Sequence, residues 1–509
     1  MHIGEWITKR ALLYPNRLFL KEEDLELNNR HFNAQVNRTA HGLLALGLTK
    51  GERVVVLMAN SSAFLEVFFA CAKIGALIVP VNTHLTAEEL AHIVGDAGPR
   101  ALVYSADMEA KAQKVKSDPG IPMHYLAHGA AGSGDPALEA LTRDQPTTGP
   151  PTGGAVGLAD PLMIMYTSGT TGRPKGAVLT HGNFLFGAIH SLHNYQLDAT
   201  CKSLVVAPLF HIGALAASAT PVIYAGGSLV LKSFDNPSDI ITCIMQEPIT
   251  YMFAVPVMYD MMTKAPRWPS ADFSAVRFFI AGGAPMPVAL IHRYQEEKGV
   301  KFAQGYGMTE TLRMTALDLE DAVRKAGSIG KEVFHTTLKM ISDDGGEVPP
   351  GDIGEIVVKS PTVFQGYWNN PEATAAVLQD GWFHTGDLGR RDEEGFLYVA
   401  GRKSELIICA GENIYAPEVE HAIEAHPHVA EAAVVGLPDA KRGEVAAAFV
   451  RLEESRSLKA EELLRFLDDK IAAFKHPRKI RFVTQALPRN RLGKVLKNEL
   501  KAVLMPPPT

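Results

Sequence analysis

Apolar residues in this chain gather in short, nearly unbroken runs that alternate with stretches of helical period. Residues 53–58 (Arg-Val-Val-Val-Leu-Met) predict a strand, 61–75 carry an apolar stripe and predict a helix, and 76–81 predict the next strand. Thr86-Ala-Glu-Glu89 has the spacing of a capping box and opens a helix that leads into the run 101–104. The rhythm returns at 203–207, 228–231, 249–255, 276–281 and 300–303, and 162–165 (Leu-Met-Ile-Met) reads as one more buried strand. Strands apolar on both faces and separated by helices predict parallel sheets covered on both sides.

The pattern then changes. From about 336 to 399 it becomes short strands broken by Asp/Gly turns, an antiparallel β module. Beyond 401 a helix near 417–425, strands near 430–435 and 446–451, a helix over 459–472, a strand at 479–483 and a last helix from Lys494 predict a small α+β region. The fold class is α/β, with a large N-terminal domain of stacked, mainly parallel sheets plus the β module over 1–401. Residues 129–158, rich in Gly, Pro and Ala, read as a connector. Gly132-Ser-Gly-Asp-Pro136 within it looks like part of a dinucleotide fingerprint, but it follows no strand and contains a proline, so it reads as loop. The run 204–224 is long enough for a membrane span, yet Pro208, His211 and Pro221 inside it favour a strand followed by a buried helix. No transmembrane segment is expected. At the N-terminus Trp6, Ile7, Arg10 and Leu13 suit a short amphipathic helix, with no secretory pattern.

A length of 509 residues suggests three or four folding units at roughly 150 residues each. Fifty Lys and Arg against fifty-six Asp and Glu leave a net charge of −6, without the basic footprint of a nucleic-acid binder. Four dispersed cysteines, none in a CxxC pair, suit reduced thiols and a cytoplasmic location. The oligomeric state stays open, a homodimer included.

The chemistry concentrates in a few loops. Tyr166-Thr-Ser-Gly-Thr-Thr-Gly-Arg-Pro-Lys-Gly176 crowds four hydroxyls, two interior glycines and two cations after a buried strand, the composition a polyphosphate needs; the Gly-Lys-Ser/Thr of a Walker loop is absent. A polar surface turn is the plainer alternative. Gln304-Gly-Tyr-Gly-Met-Thr-Glu310 also follows a strand: its glycines allow close approach to a flat ligand, Tyr306 offers a stacking face, Thr309 a donor and Glu310 a carboxylate for Mg²⁺. Equally, it reads as a strand-end turn with a solvated Glu. Ala281-Gly-Gly-Ala-Pro285 ends another strand, and in open α/β sheets such ends are where ligands bind. Thr385-Gly-Asp387 supplies a lone carboxylate or an Asx-turn, Gly401-Arg402 a fork donor, and Gly493-Lys494 a cation near a helix start.

These motifs, in this order and over nearly the whole chain, resemble those of the adenylate-forming superfamily: acyl- and aryl-CoA synthetases, luciferases and peptide-synthetase adenylation domains. Gly366-Tyr-Trp-Asn-Asn-Pro-Glu-Ala-Thr374, Gly381-Trp-Phe-His-Thr-Gly-Asp387 and Gly411-Glu-Asn-Ile-Tyr415 are similar to the fatty-acyl-CoA ligase branch. The resemblance implies a ligase that uses MgATP to convert a small-molecule carboxylic acid, a medium- or long-chain fatty acid or an aryl acid, to its acyl-adenylate and then to the coenzyme A thioester. A relative that loads a carrier protein is the alternative. By resemblance, Thr167, Ser168, Gly169, Thr170, Thr171 and Lys175 hold the outer phosphates, with Thr170 and Glu310 on the Mg²⁺ side. Gly283, Ala284, Tyr306, Gly307 and Thr309 surround the nucleotide, Asp387 takes the ribose with Arg402, and Lys494 bridges substrate carboxylate and α-phosphate. His211, Ile212, Gly213, Gly305, Met308 and Arg313 line the acyl pocket, and small residues after His211 leave room for a long or ring-bearing acid. Gly411 and Glu412 belong to the CoA side. Residues 402–404 form the hinge and 405–509 a mobile lid domain. The hinge residue itself is Ser404, where relatives commonly carry Lys or Asp. Arg442 stands where relatives often carry Trp. Arg313 either pairs with a second carboxylate or ring substituent of the acid, or turns outward.

Overall fold

Ser61 and Gly75 bracket the helix Ser62–Ile74 as local chemistry dictates: the Ser61 hydroxyl accepts from the Phe64 amide, and Gly75 closes the helix in the left-handed region. Between them, Ser62–Ile74 buries eleven of its thirteen residues, so the expected apolar stripe is in fact apolar on every side. Lys73 is drawn in with them, its amine donating to Thr8, Asn33 and Asn37 at 2.6–2.9 Å and pushed by burial down to about 8. These details come from a computed structural model that describes residues 2–117, 123–130, 132–151, 156–167, 174–284, 286–409, 412–439, 441–468, 470–489 and 495–504.

Contacts divide the chain into two units, Met1–Thr337 with Val358–Phe383, and Leu338–Val357 with His384–Thr509. The first unit holds two sheets. One has seven strands in the order Gly366–Tyr367, Lys175–Thr180, Pro161–Thr167, Leu77–Pro80, Arg53–Leu57, Ala101–Ser105 and His124–His128; its last five are parallel. The other has nine, in the order Lys331–Glu332, Leu312–Leu317, Phe302–Met308, Phe278–Gly282, Tyr251–Ala254, Lys202–Val205, Ser228–Leu231, Leu18–Glu22 and Leu25–Asn28. Six central strands of this sheet run parallel, and antiparallel strands close both edges. The capping box forms at Thr86 and Glu89 as its spacing requires.

Four expectations need correction. The connector over 129–158 contains a short helix, Leu138–Thr142, with Leu138 buried. The N-terminal helix Gly4–Leu13 buries Trp6, Ile7 and Arg10 but leaves Leu13 on its outer face, 63% exposed. After the strand Lys202–Val205, the apolar run becomes a π-helix, Gly213–Ala219, continued by the α-helix Thr220–Ala225. The helix expected over 459–472 spans only Ala460–Leu467. No described helix is long and apolar enough to cross a membrane.

The second unit takes in most of a sheet built from Thr337–Ile341, Gly354–Lys359, Trp382–Arg391, Leu378–Gln379 and Leu397–Arg402. It also contains a second sheet of Glu412–Tyr415, Leu406–Cys409, Gly443–Leu452 and Val429–Asp439, with Lys479–Val483 parallel to Gly443–Leu452. Helices Ala416–Glu424, Ala460–Leu467 and Lys497–Leu504 contribute Val419, Ile423, Leu463, Leu467 and Leu500 to its core.

Candidate active site

The strands Pro161–Thr167 and Lys175–Thr180 pair antiparallel, with Thr167 opposite Lys175, so the two ends of the hydroxyl-rich segment face each other in a β-hairpin. Ser168, Gly169, Thr170 and Thr171 lie outside the described residues. At its base, Lys175 has no ion-pair partner among the described residues, and its amine stands 5.3 Å from the centre of the Tyr367 ring. The strand Gly366–Tyr367 brings that ring there by pairing with Ala177 and Val178. The Tyr367 hydroxyl then donates to the Glu310 carboxylate at 2.9 Å, and the Glu310 carbonyl accepts from the Phe364 amide at 2.7 Å. Lys175, Tyr367 and Glu310 thus form one line of contacts between the hairpin and the segment 304–310, of which 304–308 lies within the strand Phe302–Met308 rather than after it. Tyr367 was visible in the sequence only as part of the Gly366-Tyr-Trp motif; its role as the link depends on strand pairing that no local pattern shows.

Phe278–Gly282 and Phe302–Met308 are adjacent parallel strands, with Gly282 opposite Gly305. Their carboxyl ends therefore place 283–284 and 306–310 side by side. Gly283 has φ +80°, which only glycine adopts without strain. Gly307 is required by the chain's own backbone: a Cβ there would lie 1.7 Å from the Leu312 carbonyl, at the bulge where this strand pairs with Leu312–Leu317. Tyr306 and Thr309 are half-buried, leaving surface for a ligand. Glu310 is 8% exposed, and a single carboxylate suits Mg²⁺, which takes one or two from protein and the rest of its shell from phosphate and water.

A chain of close approaches leads inward from there. A Cβ on Gly213 would meet the Phe253 ring at 2.8 Å; one on Gly282 would meet the same ring at 2.9 Å and the Gly305 carbonyl at 3.2 Å. One on Gly305 would meet Arg313 Nε at 3.3 Å and Tyr195 Oη at 3.4 Å. Gly213, Phe253, Gly282, Gly305, Arg313 and Tyr195 are therefore consecutive neighbours. Met308 ends the same strand and is half-buried, as are His211 and Ile212 at the entrance to the π-helix. Arg313 does not turn outward: it is buried, with its guanidinium carbon 4.3 Å from the centre of the Tyr195 ring. Phe253 was within reach of the sequence, since period-two alternation puts it on the face of Tyr251. Tyr195, the last residue of the helix His181–Tyr195, gave no signal.

Burial pushes His211 down to about 4, aided by nearby His84, so the imidazole is neutral at pH 7. His190 is likewise pushed down to about 4 and His181 to about 3, each chiefly by burial. All three folded-state values lie below the unfolded value of 6.5, so the unfolded chain binds more protons as pH falls below 6.5. Stability should then decline between pH 6.5 and 4, by at most about 1.4 kcal/mol per histidine per pH unit. A thermal midpoint that stayed constant from pH 7 to 5 would contradict this; replacing His190 by Gln should flatten the slope.

In the second unit, Asp387 and Arg402 are cross-strand partners. Arg402 Nε donates to the buried Asp387 carboxylate at 2.5 Å, and the Asp387 amide donates to the Thr385 hydroxyl at 3.0 Å. Ser404 is exposed in a single 3-10 turn, Lys403–Glu405. Glu412 is exposed at the start of its strand, while Gly411 and Lys494 lie outside the described residues. Cys71, Cys201, Cys243 and Cys409 are buried free thiols.

Comparison with known proteins gives concordant results. The AMP-binding enzyme family model matches residues 7–368, and the model of the AMP-binding enzyme C-terminal domain matches 418–494. A feruloyl-CoA synthase from an Amycolatopsis species is 39% identical over 500 residues, covering 98% of each chain. A long-chain-fatty-acid–CoA ligase of Mycobacterium tuberculosis is 37% identical over 506 residues, again 98% of each. The solved o-succinylbenzoate–CoA synthetase of Bacillus subtilis, in complex with its acyl-adenylate intermediate, is 33% identical and superposes with a TM-score of 0.86 over 98% of both chains.

Proposed function

The chain belongs to the AMP-binding enzyme family, and we propose that it is an AMP-forming acid–CoA ligase that works through an acyl-adenylate. A carboxylate oxygen attacks the α-phosphorus of ATP, and the bond to pyrophosphate breaks. The thiolate of coenzyme A then adds to the acyl carbon, AMP leaves with its bonding pair, and the thiol proton goes to solvent. The observation that best supports this reading is the line from Lys175 through Tyr367 to Glu310, which joins a cation with no ion-pair partner among the described residues to a buried carboxylate that follows the strand Phe302–Met308.

On this reading the hairpin from Thr167 to Lys175 receives the outer phosphates and 283–284 with Tyr306 receive adenine. Glu310, with Thr170, would hold Mg²⁺, which when bound offsets phosphate charge. Neutral His211 and the residues from Gly213 to Gly305 orient the acid. Asp387, held by Arg402, accepts from the ribose hydroxyls. Four free buried thiols and the use of ATP and coenzyme A suit the cytoplasm.

The test is carboxylate-dependent exchange of labelled pyrophosphate into ATP, followed by titration of free thiol. Exchange without an acid, or adenylate formation with no consumption of coenzyme A, would remove the ligase reading. Asp387→Ala should raise the KM for ATP far more than that for the acid, because truncating a charge-assisted hydrogen bond costs about 1.5–3 kcal/mol. An unchanged ATP KM in the folded variant would take Asp387 out of the nucleotide site.

A further inference from the structure

Arg313 is the most anomalous side chain in the first unit. It is 8% exposed, and neither terminal nitrogen has a hydrogen-bond partner among the described residues. No carboxylate pairs with it among the described residues; the face of the Tyr195 ring is its one recorded partner for charge. Guanidinium carries five donors and no acceptor and stays charged at any ordinary pH, so burying it without an anion is costly. Its surroundings deepen the deficit. The Tyr195 hydroxyl and both ring nitrogens of His190 are also buried without hydrogen-bond partners among the described residues, and His190 is close enough to feel the charge of Arg313.

The backbone holds this arrangement under strain. Leu312, immediately before Arg313, takes a φ of +53°, an unusual state for a bulky residue. Both side chains accordingly meet the helix His181–Tyr195: Leu312 at Gly187, and Arg313 at Tyr195. The guanidinium lies against Gly305, at the inner end of the succession that begins at Gly213.

We propose that Arg313, with the Tyr195 hydroxyl, binds a second carboxylate at the far end of the acid substrate. The proposal rests on the ligase reading of this site and narrows it: the substrate is a dicarboxylic acid, one carboxylate adenylated and the other held by the guanidinium. Two unpartnered terminal nitrogens form a fork that matches both oxygens of a carboxylate, whereas a phenol or methoxy group accepts from only one. A straight alkyl chain of the same length would bring methyl groups against the unpaired cation and leave it unsatisfied. Sites built to hydrogen-bond a substrate group reject analogues that lack it far more strongly than apolar pockets reject a missing methylene. Plain fatty acids should therefore be poor substrates despite the small residues that follow His211.

The experiment is pyrophosphate exchange with the full-length enzyme and matched acids: butanoic with succinic, hexanoic with adipic, benzoic with the three benzenedicarboxylic acids, and 4-hydroxycinnamic with 4-carboxycinnamic. At least one diacid should exceed its partner by about 100-fold or more in kcat/KM. Arg313→Met should bring that ratio to about one or below, and Arg313→Lys, which keeps the charge but loses the fork, should fall between. A wild-type optimum on a monocarboxylic or phenolic acid overturns the proposal and leaves the ligase reading standing. A diacid preference that survives in folded Arg313→Met also overturns it. Exchange with none of the acids overturns both readings. Should the Met variant fail to fold, the wild-type panel and the Lys variant still decide.

Discussion

Lys494→Ala is expected to slow acyl-adenylate formation by about 10²–10³-fold, equivalent to roughly 3–4 kcal/mol of barrier, the usual cost of losing one preorganised donor. Thioester formation from supplied acyl-adenylate should persist, because on the ligase reading Lys494 neutralises charge that develops only while pyrophosphate departs. The lysine itself lies outside the described residues, but the residues that flank 490–494 are anchored. Arg489 and Val495 form an antiparallel bridge, and the Leu496 amide donates to the Pro488 carbonyl at 2.8 Å. Arg489 Nη2 in turn meets the buried Glu431 carboxylate at 2.6 Å, which also takes Arg451 at 2.5 Å and the Leu487 amide at 3.1 Å. Burial pushes the Glu431 carboxyl up, and the two arginines with the amide more than offset this, holding it below the usual carboxylate range. Glu431 thus fixes the residues that precede 490–494, so Glu431→Gln should impair adenylation in the same direction, by less. Measured separately, equal loss of both half-reactions in Lys494→Ala would count against the assignment.

What the sequence made legible follows from where each determinant lies. Strands at Ser228–Leu231 and Lys479–Val483 fall where the sequence pattern predicted, and the Ser61 and Thr86 caps form because their partners lie three residues away. The π-helix Gly213–Ala219 was not legible. An apolar run cannot distinguish an α turn from a π turn, and the wider turn is held here by one distant group, the Tyr251 hydroxyl on the Ala217 carbonyl, together with the adjoining Thr220 hydroxyl on that of Leu215. Arg313 was recognisable as a cation near the acyl pocket, but its burial depends on Tyr195, supplied by a helix from a remote part of the chain. The same holds for Tyr367, which reaches Glu310 only through pairing with the strand Lys175–Thr180. Motifs reveal chemistry already clustered in sequence; contacts between motifs require the fold.

Ser404→Pro should separate the two half-reactions, with adenylate formation retained to within about tenfold and thioester formation reduced about 100-fold or more, as expected when a hinge torsion is locked. Ser404 is exposed in the single 3-10 turn Lys403–Glu405, between the strands Leu397–Arg402 and Leu406–Cys409. Both flanks are held within the second unit: Lys403 pairs with Asp343 at 2.9 Å and Glu355 at 3.2 Å, and Glu405 with Lys497 at 3.2 Å. The torsions of a 3-10 turn include the φ near −65° that proline requires, so the substituted chain can still fold, at a modest cost from the pull of Lys403 toward extended backbone. What proline removes is the freedom of that φ to change. In the two-step cycle we propose, the C-terminal domain must reorient after adenylation so that the 411–412 loop can serve coenzyme A, and a few torsions near Ser404 absorb the movement. The first half-reaction needs only the arrangement that presents Lys494; the second needs the change. Single-turnover assays of adenylate formation and of thioester formation from preformed adenylate distinguish these cases. Wild-type rates for both steps in the folded variant would place the hinge elsewhere.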